Sequence, residues 1–243
     1  MALLEAKGLK KSFGGIQAVN DCTFSVEEGA IVSLIGPNGA GKTTVFNRVT
    51  GLLTLDAGQV LFKGKRINGL QPHQITRMGI SRTFQITRDL QEMTVLENMV
   101  VQAQVKGFFD MFGTSMLKEE EERARDLLAF VGIAHLAHEK AKNLSYGQKK
   151  LMEFASVLMS EPRLIMLDEP ASGVNPTLLE SIVDRILQLN NNGITFLIVE
   201  HNMDLVMKIS NPVICMAYGT VLAHGTPQEI QDNPRVLEAY LGE

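Results

Sequence analysis

Gly36-Pro37-Asn38-Gly39-Ala40-Gly41-Lys42-Thr43-Thr44 carries the residue types and spacing needed to hold a chain of phosphates. Gly36 to Thr43 fit the pattern G-x-x-x-x-G-K-[ST] at every fixed position. A triphosphate is densely negative and must be met by many donors without clashes. Gly36, Gly39 and Gly41 let the backbone turn tightly and approach phosphate oxygens. A helix starting at Lys42 points its free N–H groups and the positive end of its dipole at the same oxygens. Lys42 places a cation on the β- and γ-phosphates, and the Thr43 hydroxyl is placed to ligate Mg²⁺. The pattern predicts a nucleotide triphosphate, ATP or GTP. The alternative is a glycine-rich turn that fits by chance, and the apolar strand before it and helical pattern after it argue against that.

Further residues suit the same chemistry. Asp168 and Glu169 end an apolar run that begins at Leu164, and two acids at the edge of a buried strand are costly without a task or a partner. Asp168 suits an outer-sphere Mg²⁺ contact, and Glu169 suits a base that polarises an attacking water. Singly, either acid is also explained as a helix cap. His201 follows another apolar run, Ile194 to Val199, in a position that parallels Asp168-Glu169, from which it can hydrogen-bond a γ-phosphate; a lone His at such a place is otherwise structural. The Gln85 amide can reach a metal or an attacking water, though alone it reads as a solvated loop residue. In Leu144-Ser145-Tyr146-Gly147-Gln148, Ser145 and Gln148 stand at capping-box spacing and expose a second helix start beside a glycine, which is an anion site or an ordinary N-cap. Phe13, upstream of the phosphate loop, either stacks on a purine or fills the core.

The elements that position these residues alternate. Strands are expected at Leu3 to Phe13, Asn20 to Val26 and Ile31 to Ile35, with Glu27-Glu28-Gly29 as a turn. Val45, Phe46, Val49 and Leu52 share one face of the helix after the phosphate loop. Asp56-Ala57-Gly58 reads as a turn, Gln59 to Phe62 as a strand and Lys63-Gly64-Lys65 as another turn. Pro72 starts a helix that Gly79 ends, and Ile80 to Phe84 is strand-like. Met93 to Val105 turns helical, with Thr94 and Glu97 as a capping box. Gly107-Phe108-Phe109-Asp110-Met111-Phe112-Gly113 reads as a core plug or as a contact surface for an apolar partner. Lys118 to Arg125 is a solvated helix face, with Glu121 and Arg125 at ion-pair spacing. The helix opened by Ser145 runs through Met159, and Val213 to Ala217 with Thr220 to Ala223 form a hairpin.

The whole chain limits the alternatives. Its 243 residues suffice for one large α/β domain, and 45% hydrophobic with 21% charged residues is ordinary for a soluble globular protein. A net charge of −4 without a long Lys/Arg run gives no nucleic-acid surface. Cys22 and Cys215 form no metal-type pair and read as reduced core thiols. No signal-peptide pattern opens the sequence, and no apolar run approaches the ~20 residues that cross a bilayer. If the protein works at a membrane, another chain is expected to span it.

The ordered set Phe13, Gly36 to Thr44, Gln85, Leu144 to Gln148, Leu164 to Glu169 and His201 resembles the ATP-binding cassette (ABC) ATPase family over essentially the whole chain. The resemblance implies an α/β P-loop NTPase fold: a RecA-like core with N-terminal antiparallel β-strands, and an α-helical subdomain at about residues 86–160 inserted in it, all within one cassette spanning 1–243. It implies ATP and Mg²⁺ as cofactors and a head-to-tail dimer that sandwiches ATP. One subunit supplies Lys42, Thr43, Gln85, Asp168, Glu169 and His201, and the other supplies the signature loop with Ser145 and Gly147. It also implies transmembrane permease subunits as partners, with the cassette peripheral at the cytoplasmic face of the membrane.

Ser81 to Gln85, Met93 to Asn98, Leu144 to Gln148, Pro170 to Pro176 and the ending Ala239 to Glu243 resemble ATPase subunits of branched-chain amino acid importers, which also implies a substrate-binding protein. ATPases of urea import and lipopolysaccharide export are close by. Two residues depart from the general family pattern: Tyr146 stands where Gly is usual, and Asn175 where Asp is usual, keeping the hydrogen bonding but losing the charge. Soluble cassette ATPases of translation usually carry two cassettes, and those of DNA repair long coiled-coil insertions; neither is seen here. A monomeric P-loop kinase or GTPase would need no Ser145 loop, and no guanine-reading N-K-x-D is present.

Overall fold

The computed structural model describes residues 2–83, 90–103 and 114–241, with the backbone alone at 114–117. Gln85, the end of the expected strand at Phe84, the Gly107 to Gly113 cluster and the terminal Gly242-Glu243 lie outside the described residues.

The chain opens with a long hairpin, β1 (Ala2–Phe13) and β2 (Ile16–Glu27). Gly14 and Gly15 turn it at φ 50° and 89°, the double positive φ of the tight turn that matches strand twist. The second strand therefore begins four residues before the expected Asn20, because the turn itself needs only two residues. β3 (Ile31–Ile35) leads through the Gly36 loop into α1 (Lys42–Val49). Leu52 is not on that helix: Thr50 caps it, Gly51 turns away at φ 74°, and Leu52 is 41% exposed. β4 (Ala57–Phe62) takes in Ala57-Gly58 and β5 (Lys65–Arg66) takes in Lys65, both expected as turn residues. Gly58 carries the strand through a close approach, where a Cβ would lie 2.3 Å from the Gly8 carbonyl oxygen.

α2 (Pro72–Met78) starts at Pro72 and ends on Gly79 at φ 106°, as expected. Next come β6 (Ile80–Arg82), α3 (Val95–Val101), α4 (Thr114–Phe130) and α5 (Tyr146–Leu158). α3 is shorter than the Met93 to Val105 reading because Thr94 and Glu97 form the capping box at its start and Gln102 caps its end. Then follow β7 (Leu164–Asp168), α6 (Pro176–Asn191), β8 (Thr195–Val199), α7 (Met203–Ile209), the hairpin β9 (Val213–Ala217) and β10 (Thr220–Gly225), α8 (Pro227–Gln231) and α9 (Pro234–Leu241).

Two sheets form. β2-β1-β4-β5 is antiparallel; the second has the order β10-β9-β3-β8-β7-β6, parallel except for β10. β3, β7 and β8 are buried along their whole length, which explains their predominantly apolar composition. Their side chains alternate between two cores. Leu164, Met166, Leu197 and Val199 pack with Val45, Phe46 and Val49 of α1 and with the antiparallel sheet. Ile165, Leu167, Phe196 and Ile198 pack with Met99, Leu128, Phe154 and Ile186 of the helical side. The pleat of the central sheet thus joins the nucleotide-loop side to the helical side through single strands.

Candidate functional site

Strand register builds the site. Val199 of β8 pairs with Leu34 of β3 on one side and with Asp168 of β7 on the other. The residues that follow, Gly36, Glu200-His201 and Glu169, therefore leave the parallel sheet together at its carboxyl edge, where ligands of such sheets bind. β6 runs parallel beside β7, so the chain leading to Gln85 departs from the same edge, while Gln85 itself lies outside the described residues.

The Gly36 loop needs its glycines for want of room as much as for conformation. Gly36 has φ 144°, and a Cβ there would sit 2.0 Å from the Met216 carbonyl oxygen. Gly41 has φ 98°, and its Cβ would meet the Ala18 carbonyl oxygen at 2.5 Å. Gly41 is also the N-cap of α1 and gives that helix no side-chain cap. The starts of α3, α5, α6, α7 and α8 are instead capped by Thr94, Ser145, Asn175, Asn202 and Thr226. No side chain at the N-cap covers the start of α1, the end of a helix that suits an anion. Lys42 Nζ arches back over the loop and donates to the carbonyl oxygens of Gly36 (2.5 Å) and Pro37 (2.9 Å). Asn38, Gly39 and Thr43 are exposed, Pro37 and Thr44 half-buried, and Ala40 is buried beneath the loop.

Asp168 is buried, and its Oδ2 accepts from Arg82 Nη2 at 2.6 Å. Arg82 Nη1 in turn donates to Asn47 Oδ1 of α1 at 2.6 Å, and its guanidinium lies over the Phe46 ring. The helix that opens on the phosphate loop and the acid that ends β7 are therefore cross-linked by one cation. Glu169 has φ 50°, a left-handed conformation that its neighbours must hold in place. Its N–H donates to the Val199 carbonyl at 2.9 Å. Its Oε1 lies 3.9 Å from His201 Nδ1, with the histidine 63% and the glutamate 24% exposed. Sequence spacing alone left His201 between a structural and a ligand-facing role; the fold leaves its ring exposed beside Glu169.

Phe13 is 45% exposed, which removes the core-filling reading. Lys11 Nζ sits 5.3 Å from its ring centre. Lys11 pairs with Val19, whose side chain crowds Gly41, so Phe13 stands two residues beyond the level of the phosphate loop.

The Ser145 end of α5 has the expected capping box: Gln148 N–H donates to Ser145 Oγ at 3.3 Å, and Ser145 N–H to Gln148 Oε1 at 2.8 Å. Leu144 is buried below it and Ser145 exposed. Its contacts run to the segment after Glu169. Tyr146 OH donates to the Ser172 carbonyl at 3.2 Å, and a Cβ on Gly173 would come within 2.9 Å of the Tyr146 ring. A Cβ on Gly147 would meet Leu178 of α6 at 2.7 Å. Asn175 caps α6 through Oδ1 and the Leu178 N–H at 2.9 Å, so it keeps the hydrogen bonding anticipated for it.

Two residues went unremarked as site components in the sequence, Arg82 and Glu200. For Glu200 the available signal was a charged residue directly after an apolar strand, the same signal that exposed Asp168; the short Ile80-Ser81-Arg82 strand gave none for Arg82. The donor set suits the expected groups. Backbone N–H groups and Lys42 fit a polyphosphate, and the hydroxyl of Thr43 with the carboxylate of Asp168 offers the oxygen ligands a hard divalent cation takes. Among the described residues no three His, Cys, Asp or Glu side chains gather into a metal site.

Known proteins resemble this chain in sequence and in fold. Residues 19–172 match the ABC transporter family, and residues 220–243 match the branched-chain amino acid ATP-binding cassette transporter family. The chain is 44% identical over 247 residues to the probable branched-chain amino acid transport ATP-binding protein LivG of Archaeoglobus fulgidus, covering 100% of this chain and 96% of that one. Its fold matches the ADP conformation of MJ1267, an ATP-binding cassette of an ABC transporter, with a TM-score of 0.88 and 37% identity over 100% of both chains. It also matches a dimeric post-hydrolysis state of the ATP-binding cassette MJ0796 bound to ADP and Pi, with a TM-score of 0.81 and 25% identity, covering 92% of this chain and 98% of that one.

Proposed function

This chain belongs to the ABC transporter family, and from that premise we propose that it is the ATP-hydrolysing subunit of an importer for branched-chain amino acids. The observation that carries the hydrolytic reading is the shared sheet edge. There the uncapped start of α1, Asp168, Glu169 and His201 leave neighbouring parallel strands at one level. The substrate reading rests on the relatives and on the match of residues 220–243.

The proposed division of labour follows from the geometry. The Gly36 loop and Lys42 bind the β- and γ-phosphates, and Phe13 presents an exposed ring to the adenine. Thr43, Gln85 and Asp168 would hold Mg²⁺, which supplies charge neutralisation on the phosphates when bound. The Glu169 carboxylate orients and polarises the attacking water, and His201 hydrogen-bonds the γ-phosphoryl group. Acceleration comes mainly from positioning and fixed charge.

Leu144 to Gln148 act on the ATP of a second cassette. α3, α4 and α5, within about residues 86–160, form the lobe that presents them. No helix among the described residues is long and apolar enough to cross a membrane, so permease subunits are taken to do so, with this chain peripheral at the cytoplasmic face.

Glu169→Gln tests the reading. The variant is expected to lose ATP turnover by about a hundredfold or more while ATP still drives it into a stable dimer, measured by phosphate release and by size-exclusion chromatography. Rapid hydrolysis by the variant would remove Glu169 from its role. For the substrate, leucine uptake into vesicles holding the chain with its permease is expected to require ATP, and uptake of urea instead would move the assignment.

A further inference from the structure

Glu200 is fully buried at 0% exposure, one residue past the last β8 strand position and outside every role assigned above. A carboxylate in that setting must be satisfied by donors, and each of its oxygens is. Oε1 accepts the Ala171 N–H at 2.8 Å. Oε2 accepts the His201 N–H and the Asn202 N–H, both at 2.9 Å. Ala171 lies two residues after Glu169, so the two oxygens of one side chain grip two different loops. One loop carries Glu169 and the other carries His201.

Those loops need gripping. Glu169 sits at φ 50°, which a non-glycine residue leaves unless its neighbours hold it. Its own carbonyl accepts from the Ser172 N–H at 3.0 Å, so the turn that Glu200 fixes through Ala171 is the turn that closes on Glu169. The His201 side chain is 63% exposed, so packing does little to orient it and its backbone must do so. Asn202, whose backbone N–H donates to Glu200, caps α7 through its side-chain Oδ1, which accepts the Leu205 N–H at 3.0 Å and anchors the second loop to a helix.

We propose that Glu200 is a positioning residue that holds the Glu169 and His201 loops in one register and thereby sets the geometry of the hydrolytic step; this rests on the ATPase reading above. Glutamine is the informative replacement. It has the same shape, but its amide accepts through one atom only and turns N–H groups toward N–H groups on the other arm. Either Ala171 or the His201-Asn202 pair then loses its acceptor, while the phosphate loop keeps every contact.

The test uses the full chain with steady-state ATP hydrolysis and thermal melting. Glu200→Gln is expected to lower kcat by about tenfold or more while KM for ATP stays within about twofold. In a His201→Ala background the same change is expected to cost less than it does in the wild-type chain, because the part of the loss that runs through the His201 loop is already gone while the part through Ala171 remains. An unchanged kcat with native melting, or a full and additive loss in the His201→Ala background, overturns the proposal. Glu200→Asp keeps the charge but falls short of Ala171, and it is expected to show the same kcat loss at unchanged KM. Loss of cooperative melting in both variants would assign Glu200 to folding instead and overturn the positioning role. Wild-type chain without turnover defeats the ATPase reading; wild-type turnover with an unaffected Glu200→Gln defeats this proposal alone.

Discussion

Cys22 and Cys215 are both free and fully buried, and burial pushes their thiols up to about 12 and about 11. Asp21 adds to the rise at Cys22, and Lys42 opposes it at Cys215. In the unfolded chain a thiol ionises near ~8.5. A folded pKa above the unfolded one means that the stability these thiols permit is fully present below that pH. It is lost as pH rises toward the folded values, because the unfolded chain gives up its protons first. Native protein at pH 8 is therefore expected to leave both thiols unreactive toward a disulfide reagent and to expose two on denaturation. Melting temperature is expected to fall above about pH 8.5, less steeply in Cys22→Ala; rapid labelling of the native protein would contradict the burial. At this scale the sequence showed the residues proposed to meet the nucleotide and missed the ones that hold them. Lys42, Glu169 and His201 are legible because phosphate chemistry demands their types at a spacing along the chain. Arg82 and Glu200 answer to partners 86 positions away at Asp168 and 29 positions away at Ala171. No local pattern reports a distance of that kind.

Helices and strands followed their punctuation. Pro72 and Gly79 bound α2, Thr94 and Glu97 open α3, and Ser145 and Gln148 open α5, because each boundary is a local hydrogen-bond solution written in adjacent residues. Ala57 and Gly58 defeated local reading because the pairing of β4 with β1, through Ala57 and Gln59 on either side of Gly58, outweighs a composition that suits turns. α1 also contains a residue its setting does not favour. Arg48 is 5% exposed, and neither its Nε nor its Nη2 has a hydrogen-bond partner among the described residues. Burial pushes this guanidinium below its ordinary pKa, with Asp56 opposing. Replacing a buried, incompletely bonded cation by an apolar chain of similar length removes a desolvation cost. Arg48→Met is expected to stabilise the protein by about 1 kcal/mol, a rise of roughly 2–4 °C in melting temperature. A lower melting temperature would show that Asp56 or the end of α1 depends on the charge.

For the whole molecule, the phosphate loop and the Ser145 end belong to one chain but are proposed to serve different nucleotides. Mixing variants tests that arrangement. Ser145→Arg and Lys42→Ala chains are each expected to be nearly inactive alone, since every site in either homodimer carries one defect. An equal mixture forms heterodimers with one intact site and is expected to recover up to about a quarter of wild-type turnover, the share a two-fold pair allows. No recovery, or recovery beyond that ceiling, contradicts the shared site. The packing of Tyr146 against Gly173 also limits which sequences this molecule can reach. The aromatic ring occupies the space in which any side chain at 173 would start, 2.9 Å from its Cε1, and Gly173 already sits at φ 71°. A side chain at 173 is closed to this chain while the ring remains, and it opens, best for Asn with its tolerance of that backbone, once Tyr146 is trimmed to Gly. Two positions 27 residues apart thus carry one joint choice of shape: a side chain at 173 calls for a smaller or displaced residue at 146.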